Sequence, residues 1–132
     1  EGWEFERLYT ADDQPAIFLR DLVPDPLLGR PVDPRLFETD MLTFLARHCR
    51  VTLDHALTDI HAAHPDPAAQ RHLQVAADAP VLLTKAVGYT RDGQGVIYTE
   101  AYQLTNVLSY HFVRHAQRVP AGGVPATYHL ED

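Results

Sequence analysis

The sequence is short of several features on which whole classes of protein depend. Its 132 residues include one cysteine, Cys49, so an internal disulfide is excluded and a reducing compartment is favoured. The apolar stretches run only a few residues each, whereas a membrane-spanning helix needs about 20. The chain also does not open with the basic and apolar regions of a secretory signal. These features predict a cytoplasmic protein with no membrane partner.

Positive charge is scarce as well. The chain has 11 basic and 18 acidic residues, a formal net charge of −7, and a single lysine, Lys85. Nucleic-acid-binding proteins normally carry a basic patch, because neutralising phosphates supplies most of their affinity. No cluster of lysine and arginine stands out here. We therefore expect this chain not to bind DNA by itself.

The residues that are present suit one globular domain of mixed secondary structure. Apolar residues make up 45% and charged residues 22%, a balance typical of folded rather than disordered chains. Alternating bulky and charged residues predict strands, and apolar residues at three-to-four spacing predict helices. The predicted elements are strands over 3–9 and 16–23, a helix over 37–49, a strand over 51–62, a helix over 67–73, and strands over 80–89, 96–104 and 110–115. No internal repeat is evident, and the order predicts an α+β fold, an antiparallel sheet with helices packed on it.

Several short motifs, taken in their order and spacing, resemble one known family. They begin with Arg7-Leu8-Tyr9 and the turn over 11–15, and they close with the turn at Gly93 and the strand residues Tyr98-Thr99-Glu100. Together they resemble the UTRA domain, the C-terminal sensor domain of the HutC subfamily of GntR-type transcription regulators. The resemblance extends over residues 3–115.

The resemblance implies a chorismate-lyase-like fold that binds a small-molecule effector and needs no cofactor. It implies that residues 1–115 form a UTRA-like ligand-binding domain and that residues 116–132 are a C-terminal tail. DNA would be bound only by an N-terminal winged helix-turn-helix domain that is absent from this chain. Because two-fold operators are read by two-fold proteins, we also expect a homodimer.

Arg7 is the first candidate for effector binding. It lies in the first predicted strand beside the aromatic Tyr9, which is also a candidate. A guanidinium holds a carboxylate or phosphate through two parallel hydrogen bonds, and the resemblance implies an arginine that contacts ligand here. The alternative is an ion pair with a neighbouring acidic residue of the protein.

Glu100 is the second candidate, with Tyr98 and Tyr102 on the same side of its strand. Two aromatic rings around a carboxylate suit a pocket wall that is apolar with one polar group. We expect Arg7 and Glu100 to face one pocket. The alternative is a glutamate that faces solvent.

Thr39 and Asp40 open the first predicted helix, where free N–H groups attract anions. The alternative is plain helix capping. The resembled family often has a serine where Asp40 stands. A carboxylate at this position would occupy the amides and repel a second anion, so we expect that the effector is not a phosphorylated sugar docked at this helix.

Two other classes of function stay open beside the sensor. One is a lyase-like enzyme acting on a small carboxylic acid, for which Arg7 and Glu100 would bind and protonate the substrate; the other is a dimerisation module without a ligand. No catalytic triad, phosphate-binding glycine loop or paired carboxylates are evident, so we expect no enzyme and no catalytic residues. His61 and His64 are three residues apart, and His111 and His115 are four apart, but no companion ligands accompany either pair, so we expect no metal site.

Overall fold

A computed structural model describes residues 2–24, 40–111, 113 and 115–116. Its strands are β1 (Gly2–Ala11), β2 (Gln14–Pro24), β3 (His55–Ala63), β4 (Val81–Tyr89) and β5 (Gly95–Gln103). Its helices are α1 (Met41–Phe44), which continues into a π-helical turn over Leu45–Cys49, and α2 (Pro67–Leu73). The strands form one antiparallel sheet in the order β1-β2-β5-β4-β3. The predicted α+β fold is confirmed.

The two helices cover opposite sides of the sheet at opposite ends. On β2, Phe18, Arg20 and Leu22 point to one side, which we call the α2 face. Alternate residues point to the other side, which we call the α1 face, where Val23 packs with Phe44 of α1. The α2-face core consists of Phe18, Ala69, Leu73, Val81, Leu83, Tyr102 and Leu104. The α1-face core consists of Val23, Met41, Phe44, Leu45, Val96 and Ile97.

Each helix begins at an aspartate and ends at a left-handed residue. Asp40 caps α1 and Asp66 caps α2, each accepting a hydrogen bond from the backbone amide three residues later. Pro67 follows Asp66 in the first turn, where a missing N–H costs nothing. The described part of the first predicted helix is helical from Met41 onward, and residues 37–39 lie outside the described residues.

One predicted strand boundary and one predicted strand are wrong. The third strand begins at His55 rather than at residue 51, because Val51 and Leu53 pack into the α1-face core instead of extending the edge strand. The last predicted strand, 110–115, is not a strand at its described residues. After β5 the chain instead turns back, and the amides of Val107 and Leu108 both donate to the carbonyl of Leu104.

The hairpins β1–β2 and β4–β5 meet at the centre of the sheet, where β2 and β5 run antiparallel. In that pair Arg20 lies opposite Glu100, and Phe18 lies opposite Tyr102.

The two hairpin turns differ in length and in conformation. In the turn between β1 and β2, Asp12, with φ 49°, and Asp13, with φ 63°, are both in the left-handed region; in the longer turn between β4 and β5, Gly93, with φ 85°, is in that region. Hairpin turns require this region, which glycine and aspartate tolerate best.

Asp66 should contribute measurably to stability, because it caps α2 and also binds Arg20 of β2. Replacing Asp66 by alanine should lower the free energy of unfolding by about 1–2 kcal/mol, the sum of a lost cap and a partly exposed ion pair. Urea unfolding of both proteins measures this difference. The matched control is Asp78→Ala, since Asp78 is exposed in a turn.

The effect of Asp66→Ala should depend on pH. Burial by itself would raise the pKa of the Asp66 carboxyl, but hydrogen bonds from the Ala69 amide and from Arg20 outweigh it and lower the pKa below the ordinary 3.8. A lowered pKa in the folded state means that the contribution is complete above the unfolded value and is lost as pH falls through the folded value. The two proteins should therefore converge in stability as the pH falls below the folded-state pKa of Asp66, which lies under 3.8, and a constant difference throughout the acid range would contradict this account.

Candidate functional site

A buried carboxylate lies at the centre of the α1 face. The side chain of Asp21 is only 1% exposed, and it accepts hydrogen bonds from two neighbouring strands. Arg7 of β1 donates to Oδ2 of Asp21 from Nε at 2.9 Å and from Nη2 at 2.6 Å. Thr99 of β5 donates its hydroxyl to Oδ1 at 2.6 Å. A buried charge needs such partners, so Arg7 is held in place by the fold before any ligand arrives.

Arg7 also reaches its neighbour along the strand. Its Nη1 donates to the Tyr9 hydroxyl at 2.8 Å, and its guanidinium carbon lies 5.6 Å from the centre of the Tyr9 ring. These bonds engage three of the five N–H groups of a guanidinium. The alternative of an ion pair with a neighbouring acid is therefore confirmed, while a contact from Arg7 or Tyr9 to an effector stays a prediction.

A second polar cluster lies on the α2 face, around Arg20. Its guanidinium bonds to Asp66 at the start of α2 and, at 3.3 Å, to Glu100 Oε2. Tyr98 donates its hydroxyl to Glu100 Oε1 at 3.0 Å. Burial raises the pKa of Tyr98, and the neighbouring Glu100 carboxylate raises it further. Tyr102 is buried in the core under α2, where burial and the nearby Asp66 raise its pKa.

The expectation that Arg7 and Glu100 face one pocket is wrong. Thr99 bonds to the same carboxylate as Arg7, and Glu100 is the next residue along β5. Because consecutive strand residues point to opposite sides of a sheet, Arg7 lies on the α1 face and Glu100 on the α2 face. Tyr98, Glu100 and Tyr102 do share one face, as the sequence predicts.

At the start of α1, the structure places a capping interaction. Asp40 accepts hydrogen bonds from the Thr43 amide at 2.9 Å and from the Thr43 hydroxyl at 2.8 Å. These bonds lower the pKa of Asp40, so its carboxylate is fully charged at neutral pH. Plain capping is thus confirmed for Asp40, and Thr39 lies outside the described residues.

A cleft of about 720 Å³ opens on the α1 face between β3, β4 and the segment that follows β5. This volume suits a small metabolite. Its lining consists of Thr58, Ile60, Leu82, Thr84, Gln103, Thr105, Leu108, Ser109 and Tyr110. The Gln103 side-chain amide donates to the Thr84 hydroxyl at 3.0 Å, which links two strands of the floor.

Sequence reasoning missed the polar residues of this cleft. Thr58 and Thr84 both point to the α1 face, where Thr58 lies opposite Ala86 and Thr84 lies opposite Ile60. Single threonines are common in strands, so neither residue marks a binding site in the sequence. The cleft also depends on the backward turn after β5, where the sequence predicts a turn or one helical turn over 106–109 and then a strand. All of the named lining side chains are uncharged.

Among the described residues, no group of three histidine, cysteine, aspartate or glutamate side chains is placed to hold a metal ion. His111, one of the histidines considered from the sequence, lies beyond β5 outside any strand. Within the same part of the chain, no helix is long and apolar enough to cross a membrane.

Comparison with known proteins adds a family and a set of similar folds. The family model described as the UTRA domain matches residues 1–107. No curated protein matches the chain by sequence.

Three solved structures illustrate the similarity in fold. A chain described as the ligand-binding domain of a GntR-family transcriptional regulator from Bordetella bronchiseptica has a TM-score of 0.77 at 15% identity, with 85% of this chain and 72% of that chain covered. A GntR-family regulator from Bacillus cereus has a TM-score of 0.72 at 15% identity, covering 85% and 78%. One from Enterococcus faecalis V583 has a TM-score of 0.72 at 17% identity, covering 84% and 79%. At identities this low, the likeness concerns the fold.

Arg7 and Asp21 should be strongly coupled in stability. Replacing Arg7 by alanine leaves the buried Asp21 carboxylate without its main partner and should lower the free energy of unfolding by about 3 kcal/mol or more. The double replacement Arg7→Met with Asp21→Leu removes both charges and should recover most of that loss. Urea unfolding of the three proteins gives the coupling energy.

The matched control is Arg91→Ala, because Arg91 lies exposed in the β4–β5 turn and should change stability by less than about 0.5 kcal/mol. An Arg7→Ala protein as stable as the parent would show that Asp21 does not depend on Arg7.

Proposed function

This chain belongs to the UTRA domain family, and from that premise we propose that it is the effector-sensing domain of a bacterial GntR-type transcription regulator of the HutC subfamily. The observation that carries the proposal is the cleft of about 720 Å³ on the α1 face, with polar side chains on its floor. The fold likeness to a chain described as a ligand-binding domain supports the same function.

We place the effector in this cleft, with the middle of the α1 face as its possible extension. Arg7, Leu19, Ala101, Thr84 and Ile60 lie in one row across the five strands. Adjacent strands are about 4.8 Å apart, so the backbone of Arg7 on β1 lies about 14 Å from the backbone of Thr84 on β4. Leu19 and the buried Ala101 lie between them in the row. In our proposal an elongated metabolite contacts both the cleft and the remaining N–H groups of Arg7.

The lining chemistry indicates the class of effector. Hydroxyl and amide groups from Thr58, Thr84, Gln103, Thr105 and Ser109 surround the cleft. Such groups pair with hydroxyl or amide groups of a neutral ligand, and a buried ion would find no opposite charge among them. The proposal is a neutral polar metabolite, or one with a single carboxylate directed toward Arg7.

The wider regulatory role follows the family. In our proposal the domain is a cytoplasmic homodimer, and DNA is bound by a winged helix-turn-helix domain outside this chain. Effector binding would then change how the two DNA-binding domains lie on a two-fold operator.

The position of Arg7 and Glu100 argues against the alternative of a lyase-like enzyme. It required Arg7 and Glu100 to hold one acid substrate between them, and the two side chains lie on opposite faces of the sheet. A sensor is stabilised by a metabolite that it does not consume. A ligand that stabilises the protein and is recovered unchanged after prolonged incubation is the outcome we expect.

The cleft assignment can be tested with two adjacent residues of β3. A thermal-shift screen of sugars, organic acids and amino-acid breakdown products should first give a stabilising ligand. Thr58→Val removes one hydroxyl from the cleft and should weaken binding of that ligand roughly fivefold, the effect of one neutral hydrogen bond. Calorimetric titration measures the change.

Asp59→Asn is the matched control, because Asp59 is the next residue of the same strand and points to the α2 face. It should leave the affinity unchanged. Equal effects of both substitutions, or weaker binding after Asp59→Asn alone, would contradict an effector site on the α1 face.

The start of α1 should disfavour phosphorylated ligands. Asp40 already occupies the Thr43 amide with a charged carboxylate, which repels a second anion at the same place. Replacing Asp40 by serine, a good cap without charge, should raise affinity for glucose 6-phosphate relative to glucose. Asp40→Asn is a second uncharged cap and should act in the same direction. Tight binding of the sugar phosphate to the unmodified protein, unchanged by either substitution, would overturn this argument.

A further inference from the structure

Gln103 is a buried polar side chain in the floor of the cleft. The residue lies in β5 and is only 6% exposed, and its neighbours across the α1 face are Ile17 of β2 and Leu82 of β4. A side-chain amide between apolar neighbours lowers stability unless its hydrogen-bonding groups are paired. A methionine would fill nearly the same space without that cost, so packing alone does not account for the amide.

Only part of this amide is paired within the protein. Its Nε2 donates to the Thr84 hydroxyl oxygen at 3.0 Å, and among the described residues this is the one hydrogen bond of the Gln103 side chain. In the same part of the chain, no fully enclosed side-chain nitrogen or oxygen lacks a hydrogen-bond partner. The carbonyl oxygen of the amide, Oε1, is therefore not sealed inside the core, and it opens to the cleft that Gln103 lines.

The bond between the two side chains also leaves the Thr84 hydroxyl hydrogen available. A threonine hydroxyl has one hydrogen to donate, and here its oxygen accepts from Gln103. No described residue accepts that hydrogen, and Thr84 lines the same cleft. Gln103 and Thr84 thus present an acceptor, Oε1, beside a donor, the hydroxyl.

We propose that this pair binds a primary carboxamide group of the effector. The carbonyl oxygen of the carboxamide accepts from the Thr84 hydroxyl, and its N–H donates to Gln103 Oε1. A carboxylate has no hydrogen to donate to Gln103, and it would find no opposite charge among the lining residues. Ile60, Leu82 and Leu108 also line the cleft and suit an apolar body next to the amide. This assignment, which rests on the function proposed above, specifies the end of the effector that lies in the cleft.

Probes that share one ring and differ only in their polar group test the assignment. Cyclohexanecarboxamide, cyclohexanecarboxylate and a cyclohexane diol with neighbouring hydroxyls are titrated at neutral pH into isotope-labelled protein, and the changes in NMR shifts give each Kd. We expect the carboxamide to bind roughly tenfold more tightly than the carboxylate, because one hydrogen bond is lost and an oxygen of Gln103 faces an anion. The carboxamide should also bind more tightly than the diol and should shift the side-chain amide signal of Gln103.

Two uncharged substitutions separate recognition by the pair from general repulsion of anions by a chain of net charge −7. Gln103→Met and Thr84→Val keep nearly the original shapes and leave the net charge unchanged. Each should weaken binding of the carboxamide roughly fivefold, the effect of one neutral hydrogen bond, and should not weaken binding of the carboxylate. Gln70→Met is the matched control, because the Gln70 amide donates to the Pro65 carbonyl on α2, which packs on the other face of the sheet. It should leave the preference for the carboxamide intact.

A preference for the carboxamide that survives both Gln103→Met and Thr84→Val would refute the proposal. So would tighter binding of the carboxylate or the diol, or no detectable binding of the carboxamide at millimolar concentration. The positions of the shifted signals show which assignment has failed. If the carboxamide shifts the signals of the cleft but the preference does not depend on the pair, the cleft assignment holds and only the carboxamide is wrong. If the shifted signals lie elsewhere, the proposed effector site fails as well.

Discussion

The antiparallel register between β2 and β5 is the constraint from which the rest of the structure follows. It sets Arg20 opposite Glu100 on one face and Asp21 opposite Thr99 on the other. The first pair, through Asp66, attaches α2 to the sheet. The second pair, through Arg7, attaches β1. A slip of one residue in this register would move Thr99 to the other face and remove its hydrogen bond to the Asp21 carboxylate.

The two faces of the sheet on either side of the β2–β5 pair carry different features. The α2 face carries a tightly bonded polar cluster whose members all have protein partners, and α2 packs on this face. The α1 face carries the open cleft, whose floor is built from uncharged polar side chains. Both faces are formed by the same strands. A ligand bound on the α1 face is therefore separated from the Arg20 ion pairs on the α2 face only by the backbone of the sheet.

The sequence predicted the fold class and most elements well, because strand alternation and helix caps are local signals. The alternation of residues 3–9 and the Asp66-Pro67 cap correspond directly to β1 and α2. It failed where the outcome depended on distant contacts. Val51 and Leu53 alternate like strand residues but are drawn into the α1-face core. The segment after β5 turns back over the sheet instead of forming a strand.

The candidate site shows the same limit. Alternation indicates which residues of one strand share a face, and it grouped Tyr98, Glu100 and Tyr102 correctly. It does not relate the faces of two strands far apart in sequence, so Arg7 and Glu100 were joined in error. Asp21 escaped notice because only the cross-strand register reveals that donors from two other strands converge on it.

The position of β3 has a consequence for how the domain opens. It is the edge strand, eight of its nine residues are exposed, and it pairs only with β4 among the described strands. Amide hydrogens on its outer side should exchange with solvent within seconds to minutes, long before those of β2 and β5, since local opening follows low burial. Thr58 and Ile60 of this strand form one wall of the cleft. Slowed exchange in β3 would therefore report occupancy of the cleft without any label on the ligand.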